Sequence, residues 1–486
     1  MDMTTRLQHT RNKPSRDGLI WDDTGLDLEP RWGREPEIEA VERVCRRHLN
    51  VPADDPQEES PNCTVTFHAA GTFNKMYLVE AVTTSPRKAK RRIKYMMRIS
   101  LPVEPRNKTR GEVTTLQLVR QRTDIPVPDV VAFDDTPDNE IGFEWILLEF
   151  LPGRPAYYRW RKMSMARKEM LVARVADFQA QLSRLGNLGQ GFRGIGTLGS
   201  TCTDQDRADL DDRSGLPGPG QVVSPVFFSG AHYHYPIPRG PFRSSHDWLQ
   251  AYLNVIIKEH TTMLADTKDE DDREYAEAAL RVARKLLRLL HRILPSLVHP
   301  PERTVLWHDE LSLMNIMVDG NDKISGIIDW ECVSTMPLWV ASQFPEFLRG
   351  ADRDAKPDRN KYTDVSDGTI SDDDDDDGEP RNLEDSVDNE GKTELYWIHL
   401  MEYEQTQLRK VYSTRMRQLW PTWDVEVVEA AFKVDFLGAV SRCGAGFYLR
   451  RIEQWVDAID RREFLGLMEV LRVGIRKDKG TSTSNK

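Results

Sequence analysis

Cysteine is scarce: the chain has five in 486 residues, and Cys45, Cys63, Cys202, Cys332 and Cys443 stand far apart. No CxxC pair and no His/Cys cluster at zinc spacing occurs, which excludes zinc-finger and zinc-ribbon classes. Scattered thiols in odd number suit a reducing compartment, so a cytoplasmic location is expected, with the nucleus left open. Long apolar runs are missing too. Nowhere do ~18 uncharged apolar residues follow one another, so no membrane span is expected. The polar stretch Met1 to Arg16 lacks the apolar segment of a signal peptide. No internal repeat is found. A basic excess is also lacking, and with it the footprint of a general nucleic-acid binder.

The net charge of −11 has a local origin. Between Asp364 and Glu390 stand thirteen acids and one base, Arg381, including six consecutive aspartates from Asp372 to Asp377. The rest of the chain is close to neutral, so the body does not repel phosphate. Such an acidic, apolar-poor stretch cannot repay the entropy of ordering, and 351–393 is expected to be a disordered insertion.

What is present divides the chain. Residues 1–34 read as extended or disordered. From Pro36, apolar residues at Ile38, Val41, Val44, Cys45 and Leu49 line one face of a helix. Three β-prone runs follow, CTVTFHAA from Cys63, KMYLVEAV from Lys75 and RRIKYMMRIS from Arg91. The basic run Arg87 to Lys94 reads as an exposed turn and strand start. A helix is expected over 111–122, then strands in VPDVVAF and EWILLEFL. After Pro152 the pattern is helical, over 162–184, 245–265, 271–293, 394–417, 424–442 and 447–472, with one β-rich stretch at 303–330. Strands plus one helix, then a helical half, predict an α+β fold of two lobes. The expected division is an N-terminal extension with one helix (1–60), a small lobe (61–148), a large lobe (149–350), the insertion, the C-terminal helices (394–475) and a disordered tail (476–486).

The strongest chemical signal is VLWHDELSLMNIMVDGNDKISGIIDWE from Val305. His308, Asp309, Glu310 and Asn315 cluster in a loop between apolar strands, and Asp329 closes a neighbouring strand. A carboxylate, an amide five residues on and a second carboxylate can converge on one point. Such oxygen ligands suit Mg²⁺, which keeps several positions for phosphate and water. Taken singly, each residue also has an ordinary reading. A loop histidine is often a structural hydrogen bonder, and an aspartate ending a strand is often a turn former.

Residues 308–315 resemble the catalytic loop of the aminoglycoside phosphotransferase (protein-kinase-like) family, His-x-Asp-(x)4-Asn. Gly326-Ile327-Ile328-Asp329-Trp330-Glu331 is similar to the segment that follows it there. The resemblance covers roughly 61–350 and is closest to fungal members. They share Glu112, Ile125-Pro126-Val127-Pro128, Phe143 to Leu147 and Pro152-Gly153-Arg154-Pro155. It implies a bilobal kinase-like fold with a small antiparallel β lobe and a larger helical lobe. It also implies ATP- and Mg²⁺-dependent phosphoryl transfer to a small-molecule hydroxyl. His308 would support the loop, Asn315 and Asp329 would hold Mg²⁺, and Glu310 would stand at the catalytic base position. Gly71, Thr72 and Asn74 would lie in the loop covering the nucleotide phosphates. Arg98 would meet phosphate and pair with Glu112, and the stretch from Glu149 to Leu151 would form the hinge that meets adenine. For Arg98 an ordinary strand-face charge is an equal reading, and for Glu112 a first-turn acid favoured by the helix dipole competes.

Two departures stand out. The family's base is Asp, whereas this chain has Glu310, with Asp309 one residue early. Arg98 replaces the kinase Lys, which Arg can match through bidentate contacts. Glu310 opens a second reading, a pseudokinase that binds nucleotide or acts as a scaffold without efficient transfer. A protein Ser/Thr kinase is disfavoured, because Trp-Glu replaces Phe-Gly after Asp329 and no Ala-Pro-Glu follows.

Overall fold

The computed structural model describes residues 15–24, 28–54, 61–84, 90–185, 192–199, 217–296, 301–362, 393–444 and 446–473. The acidic run Asp372 to Asp377, the start of the basic run at Arg87 and the tail 476–486 lie outside the described residues; the disorder expected from 351 does not hold for 351–362, where Arg353 meets Glu402 at 2.9 Å and Arg409 meets Asp352 at 2.8 Å.

The small lobe is a five-stranded antiparallel sheet of β3 (Cys63–Ala70), β4 (Asn74–Thr84), β5 (Lys90–Ser100), β6 (Val130–Asp134) and β7 (Glu144–Glu149), in the order β3-β4-β5-β7-β6. Its alternation sorts side chains to two faces. Met97, Ile99, Trp145 and Leu147 pack under α1 (Ile38–His48), while Ile146 and Leu148 face the core shared with α2 (Asn107–Arg122). The register sets Asn74 opposite Ser100 and Arg98 opposite both Met76 and Ile146.

Helix α2 begins four residues before the expected 111, after Arg106 turns through φ 65°. Glu112 therefore sits in the second turn, which removes the first-turn dipole as its explanation. Lys108 and Glu112, four apart, share a face and are both buried.

Residues 1–34, read as extended or disordered, contain a hairpin of β1 (Leu19–Asp22) and β2 (Glu29–Trp32). Long-range contacts hold these short strands. Trp32 meets Phe143 edge-on at 5.1 Å, and Arg16 reaches the Pro102, Phe228 and Gly230 carbonyls.

After β7, β8 (Arg154–Pro155) leads to α3 (Ala156–Trp160) and α4 (Met165–Leu185). The large lobe continues with β9 (Phe192–Arg193), α5 (Pro225–Phe228), α6 (Ser245–Asp266) and α7 (Glu270–Ile293). Next come β10 (Arg303–Trp307), β11 (Ile316–Val318), β12 (Ile324–Ile327), β13 (Ser334–Pro337) and α8 (Leu338–Ala341). The stretch read as one β unit divides between two sheets, β13-β10-β9 and β12-β11-β8. Four helices close the lobe, α9 (Glu394–Leu419), α10 (Trp423–Arg442), α11 (Leu449–Asp460) and α12 (Leu467–Val473). The single helix expected over 447–472 is thus two, with Arg462 at φ 66° between them. One core joins α6, α7, α10, α11 and α12; another joins α2, α4, α9 and the β11–β12 hairpin. This is the bilobal, kinase-like α+β plan expected from the sequence. No helix among the described residues is long and apolar enough to cross a membrane.

Candidate active site

The loop between β10 and β11 and the segment after β12 meet beneath the small-lobe sheet. Asp329 has φ 65°, a left-handed conformation costing a non-glycine residue ~1–2 kcal/mol. The strained turn is held from several sides. The Ile328 N–H donates to the Asn315 carbonyl at 3.0 Å. His308 Nε2–H donates to the Ile328 carbonyl at 3.2 Å, and Trp330 Nε1–H donates to the Ile327 carbonyl at 2.9 Å. Trp330 also stands edge-on to the His308 ring at 4.9 Å. Burial lowers the His308 pKa, and the Ile328 bond, Asp329 and Asp309 offset only part of that. The ring is a neutral donor that holds the peptide before Asp329. Trp307 and Trp330 are buried in the core.

Asn315 Nδ2 donates to the Glu310 carbonyl at 2.8 Å. That bond fixes the amide and leaves Oδ1 as its oxygen donor. Asp309 turns aside, accepting from Trp307 Nε1 and Arg349 Nη2, each at 3.3 Å. The Glu310 carboxyl reaches the surface on one side but is crowded by protein on the other. That loss of water, then Asp329, Glu331, Asp309 and Glu346, push its pKa up to about 7.

Arg98 links the lobes. Its guanidinium meets Glu112 at 2.6 Å, Glu331 at 2.7 Å and Asp329 at 3.3 Å. Burial works against the charge on Arg98, but these three carboxylates outweigh it and raise its pKa. Burial holds Glu112 above the usual carboxylate range even beside Arg98. Burial would also raise Glu331, yet Arg98, Lys108 and Asn74 pull it well below that range. The Asp329 side chain is 30% exposed, against 2% for Glu112 and 12% for Glu331. Of these three carboxylates it is the one most open to a ligand.

The residues read from the sequence divide into those that meet and those that do not. Arg98, Glu112 and Asp329 form one ion-paired cluster, and His308, Glu310 and Asn315 share one loop beside it. Asn74 belongs to the cluster, but with its amide turned inward: Nδ2 donates to Glu331 at 2.9 Å, and Oδ1 accepts from Ser100 Oγ at 2.9 Å. Gly71 and Thr72 lie exposed at the β3–β4 turn, closed by a Gly71 N–H bond to the Asn74 carbonyl. Glu149 lies outside the network and engages Arg120 at 3.1 Å and the Asp129 N–H at 3.2 Å. Leu151 covers Gly326 of β12, where a Cβ would come within 2.5 Å of Leu151 Cδ1. Sequence reasoning missed Lys108, whose Nζ lies 2.5 Å from Glu331. Its spacing of four from Glu112 was the available signal. Glu331 stood in the matched segment without a role.

Residues 64–340, more than half of the chain, match the phosphotransferase enzyme family. The chain belongs to this family. Among curated proteins, this phosphotransferase-family chain is 24% identical to a subtelomeric hrmA-associated cluster protein of Aspergillus fumigatus, over 57% of this chain and 59% of that protein. It is 27% identical to the clavilactone A biosynthesis cluster protein Y of Ampulloclitocybe clavipes, over 50% of this chain and 54% of that protein. The chain thus spans between half and two thirds of the length of these relatives. Among solved structures, it is similar to ADP-bound aminoglycoside phosphotransferase APH(2'')-Ib, with 11% identity, 90% of this chain and 97% of that chain covered, and a TM-score of 0.40. It is also similar to an ethanolamine kinase of Plasmodium vivax, with 10% identity, 89% and 98% covered, and a TM-score of 0.35.

Proposed function

We propose that this phosphotransferase-family chain transfers the γ-phosphoryl group of ATP, with Mg²⁺, to a hydroxyl of a small molecule. The observation that carries the reading is the joining of Arg98, Glu112 and Asp329 across the lobes beside the loop of His308, Glu310 and Asn315. The donor set fits Mg²⁺: Asn315 Oδ1 and the exposed Asp329 carboxylate are hard oxygen ligands, and phosphate and water complete such a shell. Among the described residues no group of three or more His, Cys, Asp or Glu could hold a metal. Bound there, the ion would neutralise charge on the phosphates.

In this reading each side chain has one task. Asn315 and Asp329 hold the cation. Arg98, anchored by Glu112, keeps positive charge beside Asp329. Glu310, ionised above about pH 7, accepts the acceptor's hydroxyl proton at its carboxylate. His308 keeps the strained Asp329 turn in place. Gly71, Thr72 and the Asn74 backbone border the phosphates, and the chain from Glu149 to Leu151 faces the adenine. Catalysis would come mainly from positioning and charge neutralisation.

Glu310 in place of Asp favours a second reading, a pseudokinase. The test is transfer from γ-labelled ATP to a panel of hydroxylated small molecules, alongside Mg²⁺-ATP binding. Labelled product that depends on an acceptor and on Asp329 supports the enzyme. Nucleotide binding without transfer to any acceptor supports the pseudokinase, and no nucleotide binding overturns both as nucleotide sites.

A further inference from the structure

Lys108 stands apart from the machinery described above. It is 2% exposed, so its ammonium must find all its partners within the protein. It has three donors, and all are used: Glu331 Oε2 at 2.5 Å, Asn74 Oδ1 at 2.8 Å and Ser100 Oγ at 3.3 Å. The partners come from different places. Asn74 opens β4 straight after the loop at Gly71 and Thr72, and Ser100 closes β5 opposite it in register. Glu331 belongs to the large lobe, two residues past Asp329. Its Oε2 atom also accepts from Asn74 Nδ2 at 2.9 Å and lies 2.7 Å from Arg98 Nη2.

We propose that Lys108 is a positioning residue for nucleotide, tying the end of the 71–74 loop to Glu331 and so setting the height of that loop above Asp329 and Asn315. This rests on the function proposed above. The bond pattern carries the argument. Any buried ammonium needs three acceptors, and what sets this one apart is that its acceptors come from both lobes. Here one ammonium bonds the Asn74 amide on the loop and the Glu331 carboxylate beside the metal-holding turn, and Asn74 and Glu331 bond each other. The triangle closes only when loop, helix α2 and large lobe are in one relative placement. Arg98 alone does not do this, because it reaches Glu331 but has no bond to the loop among the described residues. A loop displaced by about 1 Å can cost up to ~100-fold in a positioned reaction.

The test compares Lys108→Met and Lys108→Arg with wild type. In Lys108→Met, Glu331 keeps Arg98 and Asn74, so no buried charge is stranded. Mg²⁺-ATP affinity is measured by calorimetry, and KM for ATP, KM for the acceptor and kcat by turnover. The expected result is weaker Mg²⁺-ATP binding in Lys108→Met together with a fall in kcat of about 10-fold to 100-fold, with the acceptor KM unchanged and partial recovery in Lys108→Arg. Should Lys108→Met fail to fold, Glu331→Gln provides a second variant, since it takes the charge from the large-lobe corner of the triangle while keeping the length of the side chain and one acceptor oxygen. Wild-type binding matched by the folded variants overturns the inference alone, as does an equal loss for ATP and acceptor. No Mg²⁺-ATP binding by wild type overturns the functional reading and this inference with it.

Discussion

Replacing Arg98 by Met should expose the cost of the buried carboxylate it serves, and that cost should depend on pH. Arg98 and Glu112 are 6% and 2% exposed, and they meet at 2.6 Å. Glu112 Oε2 already has no hydrogen-bond partner, so removing Arg98 also strips Oε1 of its donor. Glu331 and Asp329 suffer less, because Lys108 and Asn74 still bond the first and water reaches the second. A charged, unpaired Glu112 would be too costly at this depth, so the variant keeps it protonated. Protonation costs ~1.4 kcal/mol for each pH unit above the ordinary value of about 4.3, hence ~2 kcal/mol at pH 6 and ~5 kcal/mol at pH 8. The sign follows from a folded-state pKa above the unfolded one, which makes stability fall as pH rises. Wild type bears part of this cost already, because burial holds its Glu112 above the usual range. The expected loss in Arg98→Met therefore falls in the ~3–5 kcal/mol range for breaking a buried pair and is about 1 kcal/mol larger at pH 8 than at pH 6, where wild type already keeps Glu112 largely protonated. Arg98→Met/Glu112→Leu should recover most of it, since apolar groups can replace a buried pair at little cost. Urea unfolding, followed by circular dichroism and tryptophan fluorescence with coincident transitions, measures all three proteins. A loss equal at both pH values, or a double variant no more stable than the single one, would refute the reasoning.

Three further outcomes are expected. Glu310, pushed up to about 7 by burial and by Asp329, Glu331, Asp309 and Glu346, must be ionised to act as base; kcat/KM should rise with pH to a plateau above about 7, and Glu310→Gln should lose about 10²–10⁴-fold together with that rise. A profile unchanged by the substitution would remove Glu310 from the base role. Glu310→Asp should raise turnover with ATP affinity kept, and a fall would show a pocket adapted to the longer side chain. Gly153→Ala should cost about 2–4 kcal/mol, because φ is +128° and the new Cβ would lie 2.5 Å from the Val318 carbonyl oxygen; a melting temperature within a degree of wild type would contradict this.

Legibility in the sequence followed the range of the forces involved. The strands of the small lobe are readable because they are short runs rich in β-branched, aromatic and other apolar residues, as in Glu144–Glu149. The loop of His308, Glu310 and Asn315 was readable because its members are close in sequence. The β1–β2 hairpin was not. Its strands are four residues each and include Pro30, and they are held by Phe143, Phe228 and Gly230, far along the chain. The sequence puts the start of α2 late, because Gly111 and the polar run from Asn107 look like a loop. The first turn is instead buried, and Gly111 lets Thr197 approach, where a Cβ would come within 2.5 Å of Thr197 Cγ2. Placing the start late hid Lys108. The division of 303–330 between two sheets depends on β8, β9 and β13, whose pairing no local pattern records.

The most direct test of the central claim is calorimetric titration of Mg²⁺-ATP into wild type and Asp329→Ala. Asp329 is the exposed carboxylate of the interlobe cluster, and its left-handed turn suits Ala less than Asp, so the fold of the variant is checked first by its unfolding transition. Wild type should bind Mg²⁺-ATP and the folded variant should not. Equal affinity in the two proteins would contradict this and remove the metal–nucleotide site from this cleft.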